Sequence, residues 1–255
     1  MTYARTMLRA WSPRATRAAA IATVLTLFHF GSADAACTLS PVVTWSLGAS
    51  SDWNTAGNWT PSGVPNSSST NVCIVDGVST VALDTSPSVA SLQLASGNTL
   101  VISSGERLDI FGPSLVNAGA IQITAGTNNA QLSTDGPVSL TGGGTVTLSN
   151  SATNEAYIAQ AVGSSPLTNV DNTIQGFGNI GSNTSLAFVN QGTVNANVSG
   201  QTLTLTGGGV TNSNLLEVTN NGTLAITTSV NNTGGAITAN GGTVAISNSA
   251  TITGG

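Results

Sequence analysis

The chain has 255 residues, of which 40% are hydrophobic and only 6% are charged, and its formal net charge is −5. Charged residues make up about 25% of a typical soluble domain. The chain contains no lysine, and four of its five arginines (Arg5, Arg9, Arg14 and Arg17) lie close to the N-terminus. Beyond position 36, one basic residue (Arg107) accompanies nine acidic residues, which gives a net charge of −8. Nucleic-acid binding needs cationic side chains and is therefore excluded.

Residues 1–36 have the organisation of a secretory signal peptide. A basic segment is followed by the apolar run 18–28, and Ala33 and Ala35 then supply the small residues that signal peptidase requires. The apolar run is shorter than the ~20 residues that a membrane span needs, and no later segment has the pattern of a transmembrane helix. We therefore expect cleavage after Ala35 or Ala36 and export of residues 37–255.

Cys37 and Cys73 are the two cysteines of the chain. In an exported protein an even number of cysteines indicates a disulfide, so we predict that these two are bonded. Two thiols without a histidine make a poor metal site. The sequence predicts neither a metal nor a cofactor.

Residues 37–80 are predicted to form an N-terminal capping module. This segment holds all three tryptophans of the mature chain, Trp45, Trp53 and Trp59, together with both cysteines. Because tryptophan is usually highly buried, we expect the three rings to cover the first coil of the fold. The alternative is an exposed platform on which sugar rings stack, which would make the module a glycan-binding site.

From residue 81 onward, short segments alternate apolar and polar residues between glycine and asparagine, which is typical of β-strands. Apolar residues recur in four columns: Leu203, Leu224 and Val244; Leu205, Ile226 and Ile246; Val194, Leu216 and Ile237; Val189, Val210 and Val230. A recurrence of about 20–21 residues indicates the coils of a solenoid. We therefore predict an all-β parallel β-helix over residues 81–255, in preference to a β-sandwich.

The columns also predict which hydroxyl groups face solvent. If Leu203 and Leu205 point inward, alternate residues point outward. The predicted outward columns are Thr202, Thr223 and Thr243; Thr204, Ala225 and Ala245; Thr206, Thr227 and Ser247. Threonine is common in strands for intrinsic reasons. Stacked hydroxyls on a flat face are also the surface that ice-binding solenoids use, which is a second alternative function.

Histidine-dependent and lysine-dependent catalysis is excluded in the mature chain, because His29 lies in the signal segment and lysine is absent. Paired carboxylates remain, and they would make the protein a polysaccharide hydrolase. The candidates are Asp52, Asp76, Asp84, Glu106, Asp109, Asp135, Glu155, Asp171 and Glu217. Their spacing follows no catalytic motif, so we predict no enzyme and interpret the cluster from Glu106 to Asp109 as a surface ion pair.

The segments Trp53–Trp59, Gly63–Asn66 and Gly97–Leu100 resemble the amino-terminal module of bacterial autotransporter-type and haemagglutinin-like surface proteins. The stretches 189–194 and 230–235 resemble the repeats of those proteins. The resemblance implies a right-handed parallel β-helix on, or shed from, the surface of a Gram-negative cell. It also implies a structural or adhesive function whose partner is an extracellular surface or a glycan.

The C-terminal end departs from that resemblance. An autotransporter continues into a membrane β-barrel, whereas this sequence stops within the repeat pattern at Gly255. We expect that the sequence is a fragment or that a separate C-terminal barrel or anchor completes it.

Overall fold

The structure is a computed structural model that describes residues 36–40, 42–161, 163, 165–181 and 185–255. Residues 1–35 of the predicted signal segment 1–36, including Ala35, lie outside the described residues, whereas Ala36 is described. Apart from one 3₁₀ turn (Ala56–Asn58), the regular structure of the described residues is β-strand. The strands are β1 (Val42–Trp45), β2 (Ser51–Asp52), β3 (Trp59–Thr60), β4 (Ser67–Ile74), β5 (Thr80–Leu83), β6 (Ser88–Leu94), β7 (Thr99–Ile102), β8 (Arg107–Ile110), β9 (Ser114–Asn117), β10 (Ala120–Thr124), β11 (Ala130–Thr134), β12 (Val138–Thr141), β13 (Thr145–Ser149), β14 (Ala156–Gln160), β15 (Pro166–Asn169), β16 (Thr173–Ile180), β17 (Ala187–Asn190), β18 (Thr193–Ala196), β19 (Thr202–Leu205), β20 (Val210–Asn212), β21 (Leu215–Val218), β22 (Thr223–Ile226), β23 (Val230–Asn231), β24 (Ala236–Ala239), β25 (Thr243–Ile246) and β26 (Ile252–Thr253).

The strands stack in parallel as a β-solenoid of about eight turns, which confirms the predicted fold class. Each coil has three strand positions, and these form three faces. Face 1 contains β2, β5, β7, β10, β13, residues 173–177 of β16, β18, β21 and β24. Face 2 contains β8, β11, β14, residues 178–180 of β16, β19, β22 and β25. Face 3 contains β1, the second halves of β4 and β6, β9, β12, β15, β17, β20, β23 and β26.

The coils vary in length more than the even spacing of the predicted columns suggests. On face 1, the sequence separation between residues that lie opposite one another in successive coils measures the length of each coil. From the pair Thr80 and Thr99 to the pair Leu215 and Ala236, the separations are 19, 21, 25, 28, 20, 22 and 21 residues. The two long coils lie between Ala120 and Thr173. Their extra residues form loops between strands, so the parallel register is kept while the spacing in the sequence is lost.

The interior is a continuous apolar seam. Leu203 lies opposite Leu224, and Leu224 lies opposite Val244, as the spacing predicts. The column Val194, Leu216 and Ile237 is also in register.

The fourth predicted column is wrong at its first member. Phe188, and not Val189, lies opposite Val210. Phe188 is buried, whereas Val189 is half-buried and lies opposite Thr211 on the outward side. The step from Phe188 to Val210 is longer by one position than the predicted step from Val189. Because side chains alternate between the two sides of a strand, one added residue moves the neighbouring side chain to the other side.

A ladder of buried asparagines runs beside the apolar seam where face 3 turns into face 1. The Nδ2 of Asn169 donates to the Oδ1 of Asn190 at 2.9 Å, Asn190 to Asn212 at 2.8 Å, and Asn212 to Asn232 at 2.7 Å. The same amides also bond to backbone carbonyls at the corner, such as that of Gly192. The ladder thus satisfies polar groups that would be costly to bury unpaired.

Glycine is required beside this ladder because the backbone passes close to it. A Cβ atom on Gly192 would lie 2.5 Å from the carbonyl oxygen of Asn172 and 2.8 Å from the Nδ2 of Asn169. Other corners use the left-handed conformation. Asn220 and Asn221 have φ of 51° and 56°, as expected for the residue type that tolerates positive φ best after glycine.

Candidate functional site

The outward side of face 1 carries two columns of mainly polar side chains. Its first column contains threonine at most positions: Thr80, Thr99, Ala120, Thr145, Thr173, Thr193, Leu215 and Ala236. Two positions further along each strand lies a second column, which becomes polar after its first two members: Ala82, Val101, Gln122, Thr147, Gln175, Asn195, Glu217 and Thr238. Successive members lie one strand spacing apart, about 4.8 Å.

Hydrogen bonds between coils hold part of the second column in place. Gln175 Nε2 donates to the Thr147 hydroxyl at 3.3 Å, and Asn195 Nδ2 donates to the Glu217 carboxylate at 2.8 Å. The Nδ2 of Asn197, the residue that follows β18, donates to Gln175 Oε1 at 3.2 Å. These amides are therefore ordered, and their remaining donors and acceptors have fixed directions.

Face 1 is also nearly uncharged. From β5 to β24, its eight stacked strands contain one charged side chain, that of Glu217. This surface is suited to hydrogen bonding with a neutral partner and offers little to attract an ionic one.

Two of the three predicted hydroxyl columns on face 2 lie in paired strands and are in register, but they do not form an unbroken array. Thr202, Thr223 and Thr243 lie opposite one another. In the neighbouring column, Thr204 is followed by Ala225 and Ala245. The first column of face 1 contains more threonines, although Ala120 interrupts it, and its spacing in the sequence does not reveal it because the two longest coils separate its middle members.

The three tryptophans are packed inside the N-terminal coil. Trp45, Trp53 and Trp59 are 2%, 0% and 2% exposed. Trp59 lies edge-on to both other rings, with centroid distances of 4.9 Å to Trp45 and 4.7 Å to Trp53. The three rings form the predicted cap, and their faces are not available for the sugar stacking that the alternative hypothesis required.

The polar atoms of these indoles are bonded as well. Trp53 Nε1 donates to the carbonyl of Pro65 at 3.1 Å, and Trp59 Nε1 donates to the carbonyl of Trp53 at 2.8 Å. Trp45 Nε1 lies 3.2 Å from the hydroxyl of Ser79. The cap therefore buries large apolar rings without leaving their N–H groups unpaired.

Cys37 and Cys73 form a disulfide, as predicted, with a Cα–Cα distance of 6.0 Å. Cys73 is on the outward side of face 3, and the bond ties residues 36–40 across that face. Gln93 lies beneath this segment, where its Oε1 accepts from the backbone N–H and the hydroxyl of Thr38, both at 2.9 Å. Its Nε2 donates to the carbonyl of Ala36 at 3.0 Å, so the segment is held by a covalent bond and by Gln93.

The acidic residues are dispersed, and several of them accept hydrogen bonds within the fold. Asp84 accepts from the backbone N–H of Asn54, Asp171 accepts from that of Gly143, and the carboxylate of Glu106 accepts from the Ser86 hydroxyl. Among the described residues, no three His, Cys, Asp or Glu side chains form a group that could hold a metal ion.

Asp76 is the most extensively bonded of these carboxylates. It accepts hydrogen bonds from the backbone N–H groups of Val78 and Ser79, from the Ser79 hydroxyl and from the amide of Asn98. Partial burial would raise the pKa of Asp76, but these donors outweigh it and hold the pKa below its ordinary value. Asp76 therefore fixes the loop that leads into β5.

Arg107 and Asp109 form an ion pair with an N–O distance of 2.7 Å. The prediction of a purely surface pair is wrong for Asp109, whose side chain is 6% exposed, against 49% for Arg107. Burial raises the pKa of Asp109, with a smaller contribution from Asp135, against the opposing effects of Arg107 and Ser133. The carboxyl is buried because Asp109 lies between Ser88 and Ser133 in the stack of coils.

A shallow groove of about 500 Å³ lies beside this ion pair on face 2. Arg107, Gln131 and Tyr157 lie opposite one another in successive coils and line it, together with Glu106 and two loop asparagines. Glu106 is the only carboxylate among the described residues that line the groove. A two-carboxylate hydrolytic mechanism would require a second one.

Among the described residues, no helix is long and apolar enough to span a membrane. Comparisons with protein-family models, with curated proteins and with solved structures found no match to this chain.

Proposed function

We propose that this chain is an exported structural and adhesive solenoid of a bacterial cell surface that holds face 1 against extracellular partners. The observation that carries the proposal is the outward surface of face 1, where hydroxyl and amide side chains repeat across the coils with one charged residue among eight strands. A solenoid of about eight turns at about 4.8 Å per turn gives a rod roughly 40 Å long.

The chemistry of face 1 favours a neutral polyhydroxylated partner such as an uncharged polysaccharide. Each coil offers one or two hydrogen-bonding side chains, and a repeating polymer can contact many coils at once. Individually weak contacts then add up through multivalency. With few charges at the contact, binding should change little with ionic strength.

Two further observations support export. The Cys37–Cys73 disulfide is typical of proteins that fold in oxidising compartments. The segment 1–36 has the pattern of a signal peptide, and the resemblance of residues 53–66 to haemagglutinin-like modules favours the bacterial surface as the destination.

Binding of the purified protein to insoluble polysaccharides tests the proposal. We expect depletion from solution by neutral polymers such as cellulose or a β-1,3-glucan, little depletion by a pectate gel, and less than a twofold change between about 0.05 and 0.5 M salt. The variant T147D/N195D places carboxylates on face 1 and should weaken binding at least tenfold. The matched variant S139D/T168D, on the outward side of face 3, should bind as the parent does.

Three results would contradict the proposal. The first is no binding to any neutral polymer, and the second is binding that T147D/N195D leaves unchanged. The third is a different activity of the same preparation: release of reducing sugar would indicate a hydrolase, and thermal hysteresis would indicate an ice-binding protein.

A further inference from the structure

The groove beside Arg107 on face 2 combines polar side chains of both charges with one aromatic ring. Arg107, Gln131 and Tyr157 follow one another along it over two strand spacings, about 9.6 Å. Glu106 and Asn129 line the same groove from the loops that lead into β8 and β11. Its volume of about 500 Å³ lies in the range of small-molecule sites. Tyr157 is the only aromatic residue among the described residues that line it.

Glu106 and Asn129 are each held by one hydrogen bond and keep a second polar atom open. The Oε2 of Glu106 accepts from the Ser86 hydroxyl at 2.8 Å. The Oδ1 of Asn129 accepts from the backbone N–H of Glu155 at 2.9 Å. Neither Glu106 Oε1 nor Asn129 Nδ2 bonds to another described residue. The groove therefore offers an acceptor and a donor that the surrounding structure already orients.

Arg107 is held by a carboxylate that is itself buried. Its Nη2 lies 2.7 Å from the Oδ2 of Asp109, whose side chain is 6% exposed. Because desolvation offsets much of the attraction when a charge is buried, such a pair adds little stability of its own. The pair does fix the guanidinium, whose other N–H groups can still donate to a ligand. Gln131 is oriented in the same way, since its Nε2 donates to the Ser133 hydroxyl and its Oε1 is left to accept.

We propose that this groove is a binding site for a short neutral saccharide. One pyranose ring packs its C–H face against the ring of Tyr157, and the saccharide hydroxyls bond to Arg107, Glu106 and Asn129. A hydroxyl both donates and accepts hydrogen bonds, so one sugar can pair with a guanidinium and with a carboxylate. A tyrosine ring supplies the apolar surface that the C–H face of the sugar requires.

Charge favours a neutral ligand over an ionic one. The positive Arg107 and the negative Glu106 lie side by side in the groove, and Asp109 adds a second negative charge next to the guanidinium. An anionic sugar would meet two carboxylates, and a cation would meet the guanidinium. A purely apolar ligand would leave these polar groups unpaired. A neutral polyhydroxylated molecule avoids all three costs.

This site is separate from face 1 and does not depend on the binding of a polymer there. A single groove gives one contact and lacks the multivalency that repeated coils provide. We therefore expect millimolar affinity for a soluble disaccharide, too weak for the groove alone to retain the protein on an insoluble polymer.

Nuclear magnetic resonance titration of the ¹⁵N-labelled full chain tests this inference, with cellobiose, maltose, lactose and mannobiose as probes up to about 50 mM. We expect at least one probe to give saturable shifts of the Arg107 Nε–H and of the side-chain amides of Asn129 and Gln131. Tyr157→Ala should weaken binding at least tenfold, whereas Tyr157→Phe keeps the ring and should stay within about threefold of the parent. The matched control is Asn179→Ala, opposite Tyr157 one coil later and outside the groove, which should bind as the parent does.

Two further variants separate the site from the fold and from face 1. R107Q/D109N replaces both partners of the ion pair by amides, so that no buried carboxylate is left unpaired. It should weaken binding at least tenfold and keep the circular dichroism spectrum of the parent. T147D/N195D, on face 1, should leave saccharide binding unchanged, so failure of the proposed function and failure of this inference are distinguishable.

The charge of the probe gives the last comparison. Digalacturonate should bind at least tenfold more weakly than the best neutral disaccharide. No shift with any neutral probe would overturn the inference, and so would shifts confined to face 1. Equal losses for Tyr157→Ala and Asn179→Ala, or digalacturonate bound as tightly as the neutral disaccharides, would also overturn it.

Discussion

The first and the last coil that the structure describes are packed differently. Residues 36–83 close the first coil with three buried tryptophans, a disulfide and the Asp76 loop. Residues 236–255 repeat the pattern of the coils before them and leave Ile246 more than half exposed. Each inner coil is covered by its two neighbours, so stacking alone stabilises the interior but not the ends. Closing an end needs a local sequence that departs from the repeat.

The largest predicted difference in stability is between truncating a large apolar side chain in the first coil and truncating one in the last. Trp53→Ala should lower the free energy of unfolding by about 3–5 kcal/mol, because it empties a fully enclosed site. Ile246→Ala removes a side chain that is mostly in water and should cost less than about 1 kcal/mol. Urea unfolding followed by circular dichroism measures both. Equal losses would show that the two ends are equally packed.

Removing the disulfide tests the covalent part of the N-terminal closure. The bond joins residues 36 positions apart, and C37S/C73S should cost about 2–4 kcal/mol. Because each coil interacts mainly with its neighbours, hydrogen exchange should accelerate in residues 36–95. Exchange in β19 and β22 should stay as in the parent. Acceleration over the whole chain would contradict this local effect.

In the asparagine ladder, removing an inner residue should destabilise the fold more than removing the outermost one. Asn190 has ladder partners on both sides, whereas Asn232 is the last rung and has Asn212 on one side only. Asn190→Ala leaves buried partners unpaired and should cost about 1–3 kcal/mol, more than Asn232→Ala. Thermal unfolding at matched concentrations measures the difference. A larger loss for Asn232→Ala would contradict the distinction between the two rungs.

The smallest predicted effect concerns pH and the Asp76 loop. The pKa of Asp76 is lowered in the folded state, so its stabilisation is fully present above the ordinary pKa of 3.8 and is lost as the pH falls through the folded-state pKa. Asp76→Asn should cost under about 1 kcal/mol at pH 7, because the carboxylate is partly exposed to solvent, and the difference from the parent should narrow below about pH 4. Glu155→Gln is the control. A difference that widens in acid would contradict the assignment.

The fold was predictable from the last third of the sequence. Each strand there carries two inward aliphatic residues, as in Leu203 and Leu205, and the coil steps are even enough to keep these pairs visible as columns. The disulfide was predictable because the chain has two cysteines, and the tryptophan cap because an end coil needs large apolar cover.

Other features were not predictable because insertions and composition hide them. Loops lengthen two coils between Ala120 and Thr173, which conceals the threonine column of face 1. A coil step longer than the predicted spacing moved the inward position from Val189 to Phe188. The asparagine ladder was not predicted because asparagine is frequent throughout the chain. The sequence does not distinguish an inward amide such as Asn190 from a corner residue such as Asn221.

Methyl–methyl nuclear Overhauser effects on selectively labelled Leu and Val residues test the in-register stack most directly. The in-register stack predicts cross-peaks between Leu203 and Leu224 and between Leu224 and Val244. It predicts no direct cross-peak between Leu203 and Val244, which lie two strand spacings, or about 9.6 Å, apart. Leu203 methyls without a Leu224 neighbour, or with partners from an antiparallel facing layer, would contradict it.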